Sequence, residues 1–312
     1  MDFAYLLWLQ NLRNSFYDLT AFMKIVGTVS TACVLLIPVF VYWCLNKKNG
    51  LFLITSFGIG FLSGRILKIT FCIYRPWLQY PEIVPVPSII EKTTGYSFPS
   101  GHTTRAASVF GATALLYRKK SAFIAWLCVF FIILTAFSRN YLCVHTLTDV
   151  LCGILVGVFV IYITSEIFKF VSEKPERENL FYLIGLILCG LSLAYVKLKS
   201  YPMDYVDGKL IVGPEEVIEE IFCSTGMLAG SIAGRFFEKN FVKFSSVGFS
   251  FKSLIFAGVG AVIFCSIYYI PKDLAYGILN GEIIEFMKGF LMFVFALAVW
   301  PFILKKFFER KN

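Results

Sequence analysis

Nine stretches of the chain, at about 24–45, 51–74, 102–118, 121–138, 147–170, 179–197, 218–236, 253–271 and 284–305, are long and apolar enough to be read as bilayer spans. No other feature narrows the fold as far. In hydrocarbon every backbone N–H and C=O needs an internal partner, and runs of this length meet that need as helices. Composition agrees: 58% of residues are hydrophobic and 16% charged, against roughly 25% charged in a soluble domain. The mean hydropathy is +0.74. The expected fold class is therefore all-α, a polytopic integral membrane helical bundle of about nine transmembrane helices. Ahead of them Phe3, Leu6, Leu9, Leu12, Phe16 and Leu19 recur at near-helical spacing, which predicts an N-terminal interfacial helix. The same stretch lacks a basic n-region and a small-residue cleavage site, so it is not read as a signal peptide.

The net charge of +9 does not imply nucleic acid, because its distribution is that of a topology signal. Lys47 and Lys48 follow the first span, Arg118, Lys119 and Lys120 the third, and Lys169, Lys174 and Arg177 the fifth. Arg235, Lys239, Lys243 and Lys252 bracket the junction of the seventh and eighth, and Lys305, Lys306, Arg310 and Lys311 close the chain. Every second junction is basic, which places the N-terminus outside and the C-terminus inside. The connections 75–101, 139–146, 198–217 and 272–283 then face outward, the last two carrying acids such as Asp204, Asp207, Glu215, Glu216, Asp273 and Glu282. The polar, proline-containing stretch 172–178 is the best internal boundary. Nine scattered cysteines form no CxxC or Cys/His cluster, so neither disulfides nor zinc are expected. Gly226, Gly230 and Gly234 repeat every four residues, the spacing of close helix packing. Glu285 and Lys288, three apart, are expected to pair with each other.

Ionisable groups within or beside membrane spans are rare and usually functional. This chain has only two histidines, and both fall among such groups at outer span ends. Lys68 and Arg75 are seven apart and share a face if the helix continues that far. Ser97, Ser100, Gly101 and His102 stand at the start of a span, where exposed backbone N–H groups and a positive dipole suit an anion. Arg139, His145 and Asp149 follow, with His145 and Asp149 spaced to meet on a helical face. Two or three cations, a helix N-terminus, two imidazoles and a carboxylate describe a phosphate site with acid–base machinery. Arg65 and Arg105, one turn from Lys68 and His102, are read as structural pairs or snorkelling side chains. Residues 76–98, with Pro76, Pro81, Pro85 and Pro87, are expected to form an ordered loop over the site.

K-x6-R-P at 68–76, P-S-G-H at 99–102 and S-R-x5-H-x3-D at 138–149 resemble, in order and without alteration, the three signature motifs of the type 2 phosphatidic acid phosphatase superfamily. That group includes lipid phosphatases, glucose-6-phosphatases and soluble vanadium haloperoxidases. The resemblance spans roughly residues 20–170 and is to the bacterial membrane branch. It implies that His145 attacks phosphorus and forms a phosphohistidine, with Asp149 orienting it. His102 would protonate the leaving oxygen and later activate water. Lys68, Arg75 and Arg139 would hold the non-bridging oxygens, helped by Ser100 and the Gly101 N–H. No metal and no other cofactor is called for. The implied organisation is a catalytic core over 1–171, a linker over 172–178 and a four-span extension of unknown role over 179–312. The implied substrate is a membrane lipid phosphate of the undecaprenyl diphosphate, phosphatidic acid or phosphatidylglycerol phosphate class, processed at the extracytoplasmic face of a bacterial plasma membrane. A sugar phosphatase like glucose-6-phosphatase, and a non-catalytic lipid-binding or transport protein of the same fold, are the alternatives.

Overall fold

The computed structural model describes residues 2–90, 93, 95–206, 208–270 and 280–308. Helices α1 (Asp2–Ser15) and α2 (Tyr17–Phe40) open the chain. Pro38 removes one intrahelical hydrogen bond near the end of α2, and a π-helical turn, Val41–Leu45, follows directly. Next come α3 (Lys47–Phe71), the one-turn helices α4 (Pro76–Gln79) and α5 (Pro87–Ile90), then α6 (Gly101–Tyr117), α7 (Ala122–Tyr141), α8 (Leu147–Glu173) and α9 (Arg177–Leu198). A two-residue antiparallel pair, β1 (Tyr205–Val206) and β2 (Lys209–Leu210), is the only strand structure among the described residues. After it lie α10 (Pro214–Phe237) with a π-helical end at Glu238–Val242, α11 (Phe251–Tyr268), α12 (Gly281–Val294), a π-helical turn at Phe295–Val299 and α13 (Trp300–Phe308).

Eight helical stretches among the described residues are long and apolar enough to cross a membrane, and the protein is an all-α polytopic membrane protein. They match eight of the nine expected spans. The remaining one is α6, a helix of 17 residues, at the lower limit for spanning. Its apolar character is diluted by Thr104, Ser108 and Thr113, which are buried because each hydroxyl donates to the carbonyl one turn back. The expected end of the eighth span at residue 271 and the connection from 272 to 279, with Asp273, lie outside the described residues, as do Asp207, Arg310 and Lys311.

The chain divides into two compact units. The first comprises residues 1–34, 63–162 and 199–217. In it α6 and α7, joined by a short connection, pack along their length, and α1 lies against α7. The α1 face bearing Leu6 and Leu9 is fully buried against Ile83, Val86, Tyr141, Leu142, Cys143 and Val144. Trp8, on its other face, is 58% exposed. Polar ties add to this seat: Gln10 bonds the backbone of Glu82 and Val84, and Thr148 Oγ1 donates to Asp2 Oδ2 at 2.6 Å. The N-terminal helix is thus amphipathic as expected, and its apolar face covers the turn between α7 and α8.

The second unit comprises residues 35–62, 163–198 and 218–312. There the glycine repeat brings α10 against α12 backbone to backbone. A Cβ at Gly226 would stand 2.1 Å from the carbonyl oxygen of Phe286, and one at Gly230 2.3 Å from that of Phe290. Lys288 Nζ meets Glu285 Oε1 at 2.9 Å, the expected pair.

Candidate active site

Every candidate site residue falls in the first unit. The local backbone explains how. α3 ends at Phe71, and Cys72 turns into the left-handed region at φ 49°. Helix continuity to Arg75, the condition set by the seven-residue spacing, is therefore not met. Pro76 disfavours helical geometry at the residue before it, and Arg75 is extended, with φ −65° and ψ 152°. The chain from 72 to 75 instead runs beside the segment 95–97, with Ser97 N–H donating to Ile73 O at 2.7 Å. Lys68 and Arg75 converge on that segment. Lys68 Nζ donates to the carbonyls of Tyr96 at 2.6 Å and Ser97 at 3.1 Å, and Arg75 Nε to that of Gly95 at 3.1 Å.

α7 ends in a tight turn, with Leu142 at its C-cap and Cys143 at φ 57°. Asn140 spans this turn, its side-chain amide donating to the carbonyls of His145 at 2.9 Å and Thr146 at 2.8 Å. His145 precedes α8, so it reaches Asp149 by a route other than a shared helical face. Thr146 Oγ1 accepts from Asp149 N–H at 3.1 Å, and Asp149 Oδ2 accepts from Thr146 N–H at 2.8 Å. That reciprocal pair is a capping box at the start of α8. It aims the carboxylate back toward the residue before the cap.

Asp149 Oδ2 also receives the Ser97 hydroxyl at 2.5 Å and faces His145 Nδ1 at 3.3 Å. The other ring nitrogen, Nε2, lies 3.0 Å from Arg75 Nη1. A guanidinium only donates, so Nε2 is the lone-pair nitrogen and Nδ1 carries the proton toward the carboxylate. Arg75 Nη1 is anchored as well to Val144 O at 3.1 Å.

His102, second residue of α6, is half-buried. It follows Ser100 and Gly101 in the chain, and the bond from Ser100 N–H to the Asp149 carbonyl brings the start of α6 beside the start of α8, which His145 precedes. Arg139 is buried at the end of α7, with its guanidinium against Gly27 of α2, where a Cβ would come within 2.0 Å of Nη2. A side chain at residue 27 would have to displace that guanidinium. Gly101 begins α6, and a Cβ there would sit 3.7 Å from Lys68 Cε. Ser100, the N-cap, makes no side-chain cap. Its N–H donates to Asp149 O at 3.0 Å, and its hydroxyl accepts from Thr103 Oγ1 at 3.0 Å.

Lys68, Arg75 and Arg139 are buried, and Asp149 is a carboxylate placed among them. Buried cations gathered beside the N-terminus of a helix suit an anion. At His145 burial pushes the imidazole pKa down to about 3, the Arg75 guanidinium adds to the effect, and the Asp149 hydrogen bond opposes it. The ring stays neutral, the form that keeps a nucleophilic lone pair.

The fold thus gathers Lys68, Arg75, Ser100, Gly101, His102, Arg139, His145 and Asp149. Three side chains outside that set support it. Ser97 orients the Asp149 carboxylate, Asn140 holds the turn carrying His145, and Thr146 supplies the cap. The T-x-x-D run at 146–149 is a legible capping signal. Asn140 has no signal beyond being an amide in an apolar span end, and the Ser97 contact is 52 residues long-range.

Cations, two imidazoles and a carboxylate set at helix ends form a cluster whose chemistry suits an anion. Residues 49–173 match the PAP2 superfamily model. Over these residues the chain is similar to members of that superfamily. It is 30% identical over 115 residues to a lipid A 4'-phosphatase of Porphyromonas gingivalis, an alignment covering 36% of this chain and 48% of the relative. It is 31% identical over 125 residues to an undecaprenyl-diphosphatase of Sulfolobus acidocaldarius, covering 39% and 56%. It is 30% identical over 138 residues to phosphatidylglycerophosphatase B of Bacillus subtilis, covering 41% and 61%. The chain spans about half the length of the curated relatives it matches. No solved structure matches it.

Proposed function

We propose that this protein is an integral-membrane lipid phosphatase that hydrolyses a phosphomonoester or diphosphate at the outer face. The observation that carries the reading is the buried relay from Ser97 through Asp149 to His145, ending on a lone pair that faces Arg75. His145 Nε2 attacks phosphorus, and its contact with the Arg75 guanidinium gives way as that guanidinium turns to the entering phosphoryl oxygens. Lys68 and Arg139 hold the same oxygens, with the N-terminal N–H groups of α6. Preset donors of this kind stabilise the charge that builds on a transferring phosphoryl group. His102 gives its proton to the leaving oxygen, then takes one from the water that cleaves the phosphohistidine. The cations meet the electrostatic need, so the reaction proceeds without a metal.

The relatives named above as phosphatases of lipid A, undecaprenyl diphosphate and phosphatidylglycerol phosphate support a lipid substrate. We assign the chemistry to a core over 1–171, separated by 172–178 from an extension over 179–312. Part of that extension reaches the site loops: Tyr74 hydroxyl donates to Asp204 Oδ2 at 2.6 Å. Purified protein should release phosphate from a panel of lipid phosphates in the presence of chelator. His145→Ala should lower turnover by about 10²–10⁴-fold. Unchanged release in that variant, or full loss of wild-type activity with chelator, defeats the reading.

A further inference from the structure

The second unit contains a cavity of about 400 Å³ that the phosphatase reading does not use. That volume is within the range of ligand pockets, roughly 300–1,000 Å³, and like them the cavity is largely apolar with a few converging polar groups. Leu51 of α3, Phe168 and Val171 of α8, and Ile232 of α10 form its walls. Its polar lining carries three cations, Lys48, Arg235 and Lys239, against one carboxylate, Glu178. Arg235 Nε bonds Glu178 Oε1 at 2.9 Å, and Lys239 Nζ meets Glu178 Oε2 at 2.7 Å. Glu238, which Arg235 also contacts, is neutralised in addition by Lys47 at 2.6 Å, so the positive excess at the lining persists. Tyr182 lines the same cavity, with its hydroxyl buried beside Glu178 and Arg235.

We propose that this cavity binds an anionic phospholipid, its phosphate against Lys48 and Lys239 and part of one chain along the apolar walls. An apolar pocket rimmed by cations fits an amphiphile with an anionic head better than a free anion or a neutral lipid. The helix ends that line it adjoin the basic connections at 47–48, 169–177 and 235–243. Positive-inside alternation assigns those connections to the inner side, where anionic lipid gathers and basic pockets between helices hold its head groups. The inference stands apart from the catalytic one, since it uses none of the same residues and a phosphodiester lipid suffices as ligand.

The test is native mass spectrometry of the purified full-length protein exposed to equimolar phosphatidylglycerol and phosphatidylcholine. Phosphatidylglycerol should be retained at one copy per chain, preferred by at least about 5-fold, and Lys48→Gln and Lys239→Gln should each reduce its retention by about 5-fold. Val171→Trp, which fills the apolar part, should abolish retention, while His145→Ala should not change it. Millimolar inorganic phosphate should leave the lipid bound. Equal retention of the two lipids, or retention that survives both lysine changes, overturns the proposal. So does loss on His145→Ala, or displacement by inorganic phosphate, which would assign the binding to the phosphatase site or to a free anion. The two lysine variants alter charge at the rim alone and decide the matter even if the tryptophan variant fails to fold.

Discussion

His145 shows how burial and a neighbouring cation set the protonation of one side chain. Desolvation and the Arg75 guanidinium both disfavour the charged ring, and Asp149 recovers only part of that. The folded pKa, about 3, lies below the ordinary value of 6.5. An unfolded chain therefore takes up a proton at residue 145 as pH falls below 6.5, and the folded chain does not until about 3. The stability associated with this group is fully present above 6.5 and is lost as pH falls from there toward 3. With only two histidines in the chain, ¹⁵N-histidine NMR reads this directly. The signal removed by His145→Ala should hold its neutral-ring shift from pH 8 to pH 5; a midpoint near 6.5 would contradict the burial described. The residue types were legible from the motifs, because a histidine, an arginine and an aspartate at a span end are costly there. Their orienting partners were not, because Ser97 and Asn140 act through contacts that spacing does not encode.

At the level of elements, hydropathy placed the helices well, since a helix in lipid is defined by its own apolar length. It erred where the backbone departs from a regular helix. The break at Cys72 replaces a helical face with two converging segments, and the capping box at Thr146 does what an i, i+4 pairing was expected to do. The glycine repeat of α10 is an element-scale feature with a plain consequence. Leucine in place of Gly230 would place a Cβ 2.3 Å from the Phe290 carbonyl oxygen, and the helix backbones would have to part. Overpacking of this kind costs about 1–3 kcal/mol or more. Gly230→Leu should lower the thermal midpoint in detergent, whereas Gly190→Ala in α9, with nothing within 4 Å of its added Cβ, should not. Equal midpoints for Gly230→Leu and the wild type would show that this packing contributes nothing.

For the molecule as a whole, alternation of basic junctions predicts that the connections 75–101, 139–146 and 198–217 share one side of the membrane. The first unit brings parts of all three together: Arg75 bonds the carbonyl of Val144, Tyr74 bonds Asp204, and the Cβ position of Gly95 lies 3.2 Å from Val217. Sealed right-side-out vesicles should therefore turn over a membrane-impermeant lipid phosphate added outside, at a rate that permeabilisation does not raise. Activity that emerges only after permeabilisation would reverse the assigned orientation. Membrane class and the residue types of the candidate site follow from sequence alone, because bilayer partitioning and the cost of charge in hydrocarbon act on local composition. How Lys68 and Arg75 meet around residues 95–97, which ring nitrogen of His145 carries the lone pair, and the presence of a cation-rimmed cavity in the second unit were decided only by the tertiary structure. Each depends on groups far apart in the chain, and their approach is set by packing and by hydrogen bonds that close after the helices have formed.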